Sequence, residues 1–123
     1  GRPLWEVWPV PGPLLPVLYV DDLTVSIRPT RKANESGRAA GAMVTIKDTV
    51  NGKHPRAVVS GYWAGVTSGS VSGLTDAMGR VVFSSKRATE KGDFIFVVTK
   101  VSAAGCIYDP TRNSRTNQST TNP

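Results

Sequence analysis

Phe94-Ile95-Phe96-Val97-Val98-Thr99-Lys100-Val101 is the clearest run of alternating side chains in the chain: Phe94, Phe96 and Val98 alternate with Ile95, Val97 and Thr99, and the run continues to Val101. Residues two apart project from the same side of an extended backbone, so period two at this length reads as a half-buried β-strand. The same period recurs on the N-terminal side. Leu23, Val25 and Ile27 alternate with Thr24 and Ser26, and Ala40, Ala42, Val44 and Ile46 alternate with Gly41, Met43, Thr45 and Lys47. A further strand runs from about Ala57 to Trp63, with Ala57, Val59, Gly61 and Trp63 on one face and Ser60 and Tyr62 on the other. Helical spacing persists nowhere beyond one turn, and Lys86 to Lys91 comes nearest to it.

Turn residues separate these runs. Asn51-Gly52 is a turn dipeptide, because both residues tolerate positive φ. Asp76-Ala77-Met78-Gly79 reads as a tight turn, followed by a strand from Arg80 to Ser84. Val66 to Leu74 is a weak Ser/Gly strand suited to a sheet edge, and Cys106-Ile107-Tyr108 closes the set. About seven short strands divided by turns specify an all-β antiparallel β-sandwich. Its interior needs large inward side chains, which Trp63, Phe83, Phe94 and Phe96 supply.

The two ends differ from this middle. Residues 1–18 form a Pro/Trp-rich arm: five of the nine prolines fall in its first sixteen positions, beside Trp5 and Trp8. Proline fixes φ and lacks an amide donor, so the arm is expected to be extended, its tryptophans docking on this domain or on a neighbouring one. The sandwich is expected over residues 19–110, and the Thr/Asn/Ser-rich residues 111–123 read as a polar exit tail. The chain begins at Gly1 with no signal peptide, the look of a piece from a longer protein.

Composition limits the chemistry. The 123 residues carry a formal charge of +6, and the sequence pI is about 9.9. That balance favours anionic surfaces, but no dense basic block exceeds two neighbours, which argues against specific nucleic-acid binding. No apolar run approaches the roughly 18 residues of a membrane-spanning helix. One cysteine, Cys106, precludes an internal disulfide, and one histidine, His54, lacks a Ser, Cys or acid at motif spacing. Asp21 and Asp22 are adjacent, so on a strand they point to opposite faces, and Asp76 and Asp109 sit in turns. No catalytic residue, metal site or cofactor is therefore expected, and two acceptor-type triplets, Asn34-Glu35-Ser36 and Asn117-Gln118-Ser119, matter only in a glycosylating host.

Several stretches, taken together, resemble the immunoglobulin-like accessory domain near the C-terminus of many secreted bacterial hydrolases, subtilisin-like proteases among them. The matching pieces are Tyr19-Val20-Asp21-Asp22-Leu23, Val44-Thr45-Ile46-Lys47-Asp48 with Asn51-Gly52-Lys53, and Val59-Ser60-Gly61-Tyr62-Trp63. Thr75-Asp76-Ala77-Met78-Gly79-Arg80-Val81, Phe96-Val97-Val98-Thr99-Lys100-Val101 and Tyr108-Asp109-Pro110 follow in the same order. Some such domains carry two cysteines flanking the Thr-Asp-x-x-Gly turn; here Gly73 and Val81 stand at those positions. The resemblance implies an immunoglobulin-like sandwich and a secreted, non-catalytic appendage, and it transfers no binding residue.

The binding candidates come from the residues themselves. A flat ring on a sandwich face offers apolar area to a sugar ring, and Tyr62 is the best placed, opposite in direction to the core-facing Trp63. Trp5 and Trp8 add rings, and Arg56 and Arg80 add charge for an acidic polymer. The expected partner is a polysaccharide or the neighbouring catalytic domain. A spacer that binds nothing else and a charge-driven binder of anionic polymer are the competing readings.

Overall fold

In the computed structural model, which describes residues 15–28 and 38–122, nine strands form two sheets among the described residues. They are β1 (Val17–Arg28), β2 (Ala39–Asp48), β3 (Gly52–Lys53), β4 (Val58–Gly65), β5 (Gly69–Leu74), β6 (Arg80–Ser84), β7 (Gly92–Ser102), β8 (Ile107–Tyr108) and β9 (Asn117–Asn122). One sheet has the order β3-β2-β1-β8, with β6 also paired to β2, and the other has the order β5-β4-β7-β9. All pairings are antiparallel except the two-residue contact of β8 with β1. The all-β character expected from period two is present; the two strands beyond the expected set are β9 and the two-residue β3.

Two β-bulges reset which residues face inward. In β1, Val20 pairs with Ile46 and Asp22 with Thr45, so Asp21 is the extra residue. Leu18 and Val20 are buried before it, Leu23 after it, and the inward set passes from even to odd positions. Asp21 and Asp22 consequently do not divide between two faces: Asp22 is exposed and Asp21 reaches the surface to pair with Lys47 at 3.1 Å. In β7, Val98 pairs with Gly61 and Lys100 with Ser60, so Thr99 is the extra residue. Phe94, Phe96 and Val98 are buried before it and Val101 after it.

The stretch read as an exit tail supplies β9, which pairs with β7 from Asn117 to Asn122. Its ladder is made of backbone bonds, Thr121 Oγ1 adds a side-chain bond to Asp93 Oδ1 at 3.0 Å, and its side chains are polar throughout, so hydrophobic alternation carried no sign of it. A short 3-10 turn, Pro110–Arg112, leads into it. Asn113 and Ser114 follow, bonding to Val20 and so joining this segment to β1.

Between the sheets Phe83 stacks on Phe96 with centroids 5.3 Å apart, and Trp63 meets Phe96 edge-on at 4.9 Å. Such pairs contribute about 0.5–1.5 kcal/mol beyond the area they bury. Gly61 makes room for them, since a Cβ there would lie 2.5 Å from the Val97 carbonyl oxygen and 2.7 Å from the Phe96 ring. Trp63 is 3% exposed, as a core residue should be, although its indole nitrogen has no hydrogen-bond partner among the described residues.

Asp48 fastens one end of the sandwich. Its Oδ1 accepts the amides of Val50 and Asn51 at 2.8 and 2.6 Å, and its Oδ2 lies 2.8 Å from His54 Nδ1. His54, which sequence spacing left without an acid, thus has one six residues upstream, brought back by the Asn51-Gly52 turn. Thr75 Oγ1 donates to the His54 carbonyl and accepts the Ala57 amide, tying this corner to the second sheet. Burial pushes the Asp48 carboxyl up, but the Asn51 amide, the His54 ring and the Val50 amide together hold it below its ordinary value of 3.8.

Two outcomes follow for stability. Phe96→Ala, which empties the centre of the ring cluster, costs about 3–5 kcal/mol in urea unfolding. A carboxyl whose folded pKa is depressed stabilises the fold above its unfolded pKa, and that contribution is lost as pH falls through the folded value. The stability difference between the native chain and Asp48→Asn is therefore full near neutrality and shrinks as pH drops below about 4, the ordinary carboxylate range; urea midpoints across pH measure it.

Candidate functional site

The residues marked out by sequence separate in the fold. Trp5 and Trp8 lie outside the described residues. Arg56 occupies the corner before β4 at φ +60°, a left-handed conformation that costs a side-chain-bearing residue roughly 1–2 kcal/mol. The Arg56 amide donates to the Thr75 carbonyl, so its backbone serves that corner. Arg80 stands opposite Thr45 on the first sheet, beside the Asp76 turn. Asp76 Oδ1 accepts the amides of Arg80 and Met78, and these bonds hold its carboxyl below the ordinary value. Gly79 completes the turn at φ +74°, where a Cβ would meet the Ile46 carbonyl oxygen at 2.6 Å.

Tyr62 is elsewhere. It is on β4 of the second sheet, six residues beyond Arg56, or about 20 Å of extended backbone. Neither arginine shares its surroundings. Arg56 belongs to the corner before β4 at one end of the sandwich, and Arg80 to the first sheet.

What surrounds Tyr62 follows from register. Directly opposite residues in a ladder face the same way, and Tyr62 pairs with Ser70 on β5 and Val97 on β7. Two positions back, Ser60 pairs with Ser72 and Lys100. The outer face of this sheet therefore presents a ring amid serines, 39% exposed at Tyr62. A shallow depression of about 330 Å³ lies here, lined by Tyr62, Ser60, Ser70, Val71, Ser72 and Thr99. Thr99 Oγ1 donates to the Ser60 carbonyl at 3.1 Å, closing the bulge against β4.

Of these, Tyr62 and Ser60 were legible as outward residues of one strand. Ser70 and Ser72 carried a usable signal in their period-two spacing within the edge strand; Thr99 carried none, because it joins the site through the bulge. The lining holds hydroxyls, a phenol ring and a valine, groups that hydrogen-bond and stack but do not pair an acid with a base. A second depression, of about 210 Å³ on the outer face of the first sheet, is lined by Thr24, Ser26, Gly41, Met43 and Val82 and offers no ring.

The remaining reactive groups are placed apart from this face. Cys106 is half-buried beside the core, and burial, with the Asp48 charge, pushes its thiol up and away from the reactive thiolate. Asp109 caps the 3-10 turn through the hydroxyl and amide of Thr111, bonds that hold its carboxyl low. Among the described residues no group of three or more His, Cys, Asp or Glu is arranged to hold a metal ion, and no helix is long and apolar enough to cross a membrane.

Comparison with protein-family models, curated proteins and solved structures gives no match to this chain. The site stands on its geometry.

A ring kept for a ligand should be dispensable to the fold. Tyr62→Ala is expected to change unfolding free energy by less than about 1 kcal/mol, against the several lost at Phe96, in the same urea titration.

Proposed function

We propose that this chain is an immunoglobulin-like, non-catalytic accessory module of a secreted bacterial enzyme, and that it binds polysaccharide on the outer face of the second sheet around Tyr62. The observation that carries the binding reading is the exposed Tyr62 ring standing over a shallow, serine-lined depression. The ring supplies a flat apolar face for a sugar, and the flanking hydroxyls supply donors and acceptors for its oxygens. Held near its substrate in this way, a linked catalytic domain gains effective concentration without new chemistry.

Strand order supports the immunoglobulin-like reading. With the two-residue β3 and β8 set aside, one layer contains β1-β2-β6 and the other β5-β4-β7-β9. The chain crosses between layers from β2 to β4, from β5 to β6 and from β6 to β7, the Greek-key habit of these sandwiches. The fourth long strand, β5, pairs with β4 instead of joining the first layer as in constant-type domains. The two positions that hold cysteines in some of the domains this chain resembles are adjacent here, since a Cβ on Gly73 would lie 3.1 Å from Val81 Cγ2.

Affinity electrophoresis in gels cast with individual polysaccharides tests the binding reading. Retardation on at least one glycan is expected, with affinity reduced about tenfold in Tyr62→Ala while its melting curve is preserved. Free migration on every glycan, or retardation indifferent to Tyr62, overturns it.

A further inference from the structure

The bulge at Thr99 does more than end the inward run of Phe94, Phe96 and Val98. On an unbroken ladder the even positions of β7 face the core, and Lys100 would follow them inward. The extra residue turns Lys100 outward, opposite Ser60, and leaves Thr99 and Lys100 exposed in succession: Thr99 lines the Tyr62 depression, and Lys100 stands across the ladder from Ser60, which lines it too. Under strict alternation Lys100 itself could not stand there.

Lys100 also differs from the cations the fold employs internally. Lys47 is paired with Asp21 at 3.1 Å, and Arg112 lies 3.7 Å from Asp109. Lys100 has no acidic partner among the described residues. Its ammonium offers three donors on a flexible stem beside a stacking ring and a row of hydroxyls. The chain's +6 charge would draw a polyanion toward the surface, and the Lys100 ammonium, reaching out opposite Ser60 on the same face as Tyr62, would hold one of its anionic groups.

We propose that the polysaccharide bound at Tyr62 carries carboxylates and that Lys100 is the residue that recognises them. The assignment rests on the Tyr62 reading and deepens it: the ring contacts the sugar face, the serines its hydroxyls, and Lys100 the carboxylate. Arg56 and Arg80, on other parts of the surface, take no part.

The test uses polygalacturonate, alginate and hyaluronan, each beside its methyl-esterified form, so that charge changes while the backbone is retained. Affinities are measured in gels at low salt for the native chain and for Lys100→Gln, Lys53→Gln and Tyr62→Ala, with circular dichroism confirming that each variant folds. At least one acid form should bind about three- to fivefold more tightly than its ester, the range an exposed ion pair supplies. Lys100→Gln should equalise the two forms. Lys53→Gln, which removes the same charge from β3 on the other sheet, should leave the preference in place, and Tyr62→Ala should weaken both forms alike. Equal binding of acid and ester, a preference that survives Lys100→Gln, or one erased as fully by Lys53→Gln overturns the role of Lys100 while leaving Tyr62 standing. Binding of neither form of any polymer, with no other glycan retarded, overturns both.

Discussion

The stacking of Phe83 on Phe96 is the contact through which the two sheets become one structure. Phe83 comes from β6 in the first sheet and Phe96 from β7 in the second, and Trp63 meets the same ring edge-on. Rings are available at that plane only if every strand turns the correct face inward. The side-chain period of two makes this strict, because a slip of one residue exchanges core and surface along a whole strand. Interior packing therefore decides which side chains remain outside, and those are the ones available to a ligand.

Tyr62 follows from that constraint. Its neighbours on β4, Gly61 and Trp63, are spent on the interior: the glycine leaves space for the Phe96 ring and the tryptophan packs against it. Tyr62 is then outward by alternation, and pairing to β5 and β7 brings serines and Val97 beside it. Lys100 is outward for the opposite reason, a local break in alternation. The surface around Tyr62 thus joins a regular consequence of the ladder to one irregularity in it. At the corner before β4, Asp48, His54 and Thr75 join the two sheets, so that residues with the look of acid–base chemistry are engaged in structure.

Much of the fold could be read in the residues. The inward sets Ala40–Ala42–Val44–Ile46 and Val59–Gly61–Trp63 are clean alternations, and the turns at Asn51-Gly52 and Asp76 to Gly79 are marked by residues that tolerate their backbones. Three features were hidden, each for a physical reason. The bulges at Asp21 and Thr99 are shifts of pairing between strands, and no residue type announces them. Strand β9 is held by its backbone ladder and a Thr121–Asp93 side-chain bond, with no apolar side chain, so hydrophobic pattern passes over it. The Asp48–His54 contact depends on a chain reversal that brings together residues without motif spacing. Of the site, the ring was legible and its company was not: Arg56 stands at the corner before β4 and Arg80 on the first sheet, while Ser70, Ser72 and Lys100 come to the outer face of Tyr62 through pairing and Thr99 through the bulge.

The central claim is that one face of one sheet meets the polymer. Backbone amide shifts of the isotope-labelled chain, followed as soluble fragments of a retarded polysaccharide are added, examine it residue by residue. The account predicts changes gathered at Ser60, Tyr62, Ser70, Ser72, Thr99 and Lys100. Changes gathered instead around Thr24, Met43 and Val82 on the first sheet, or spread evenly over the basic residues, would contradict it.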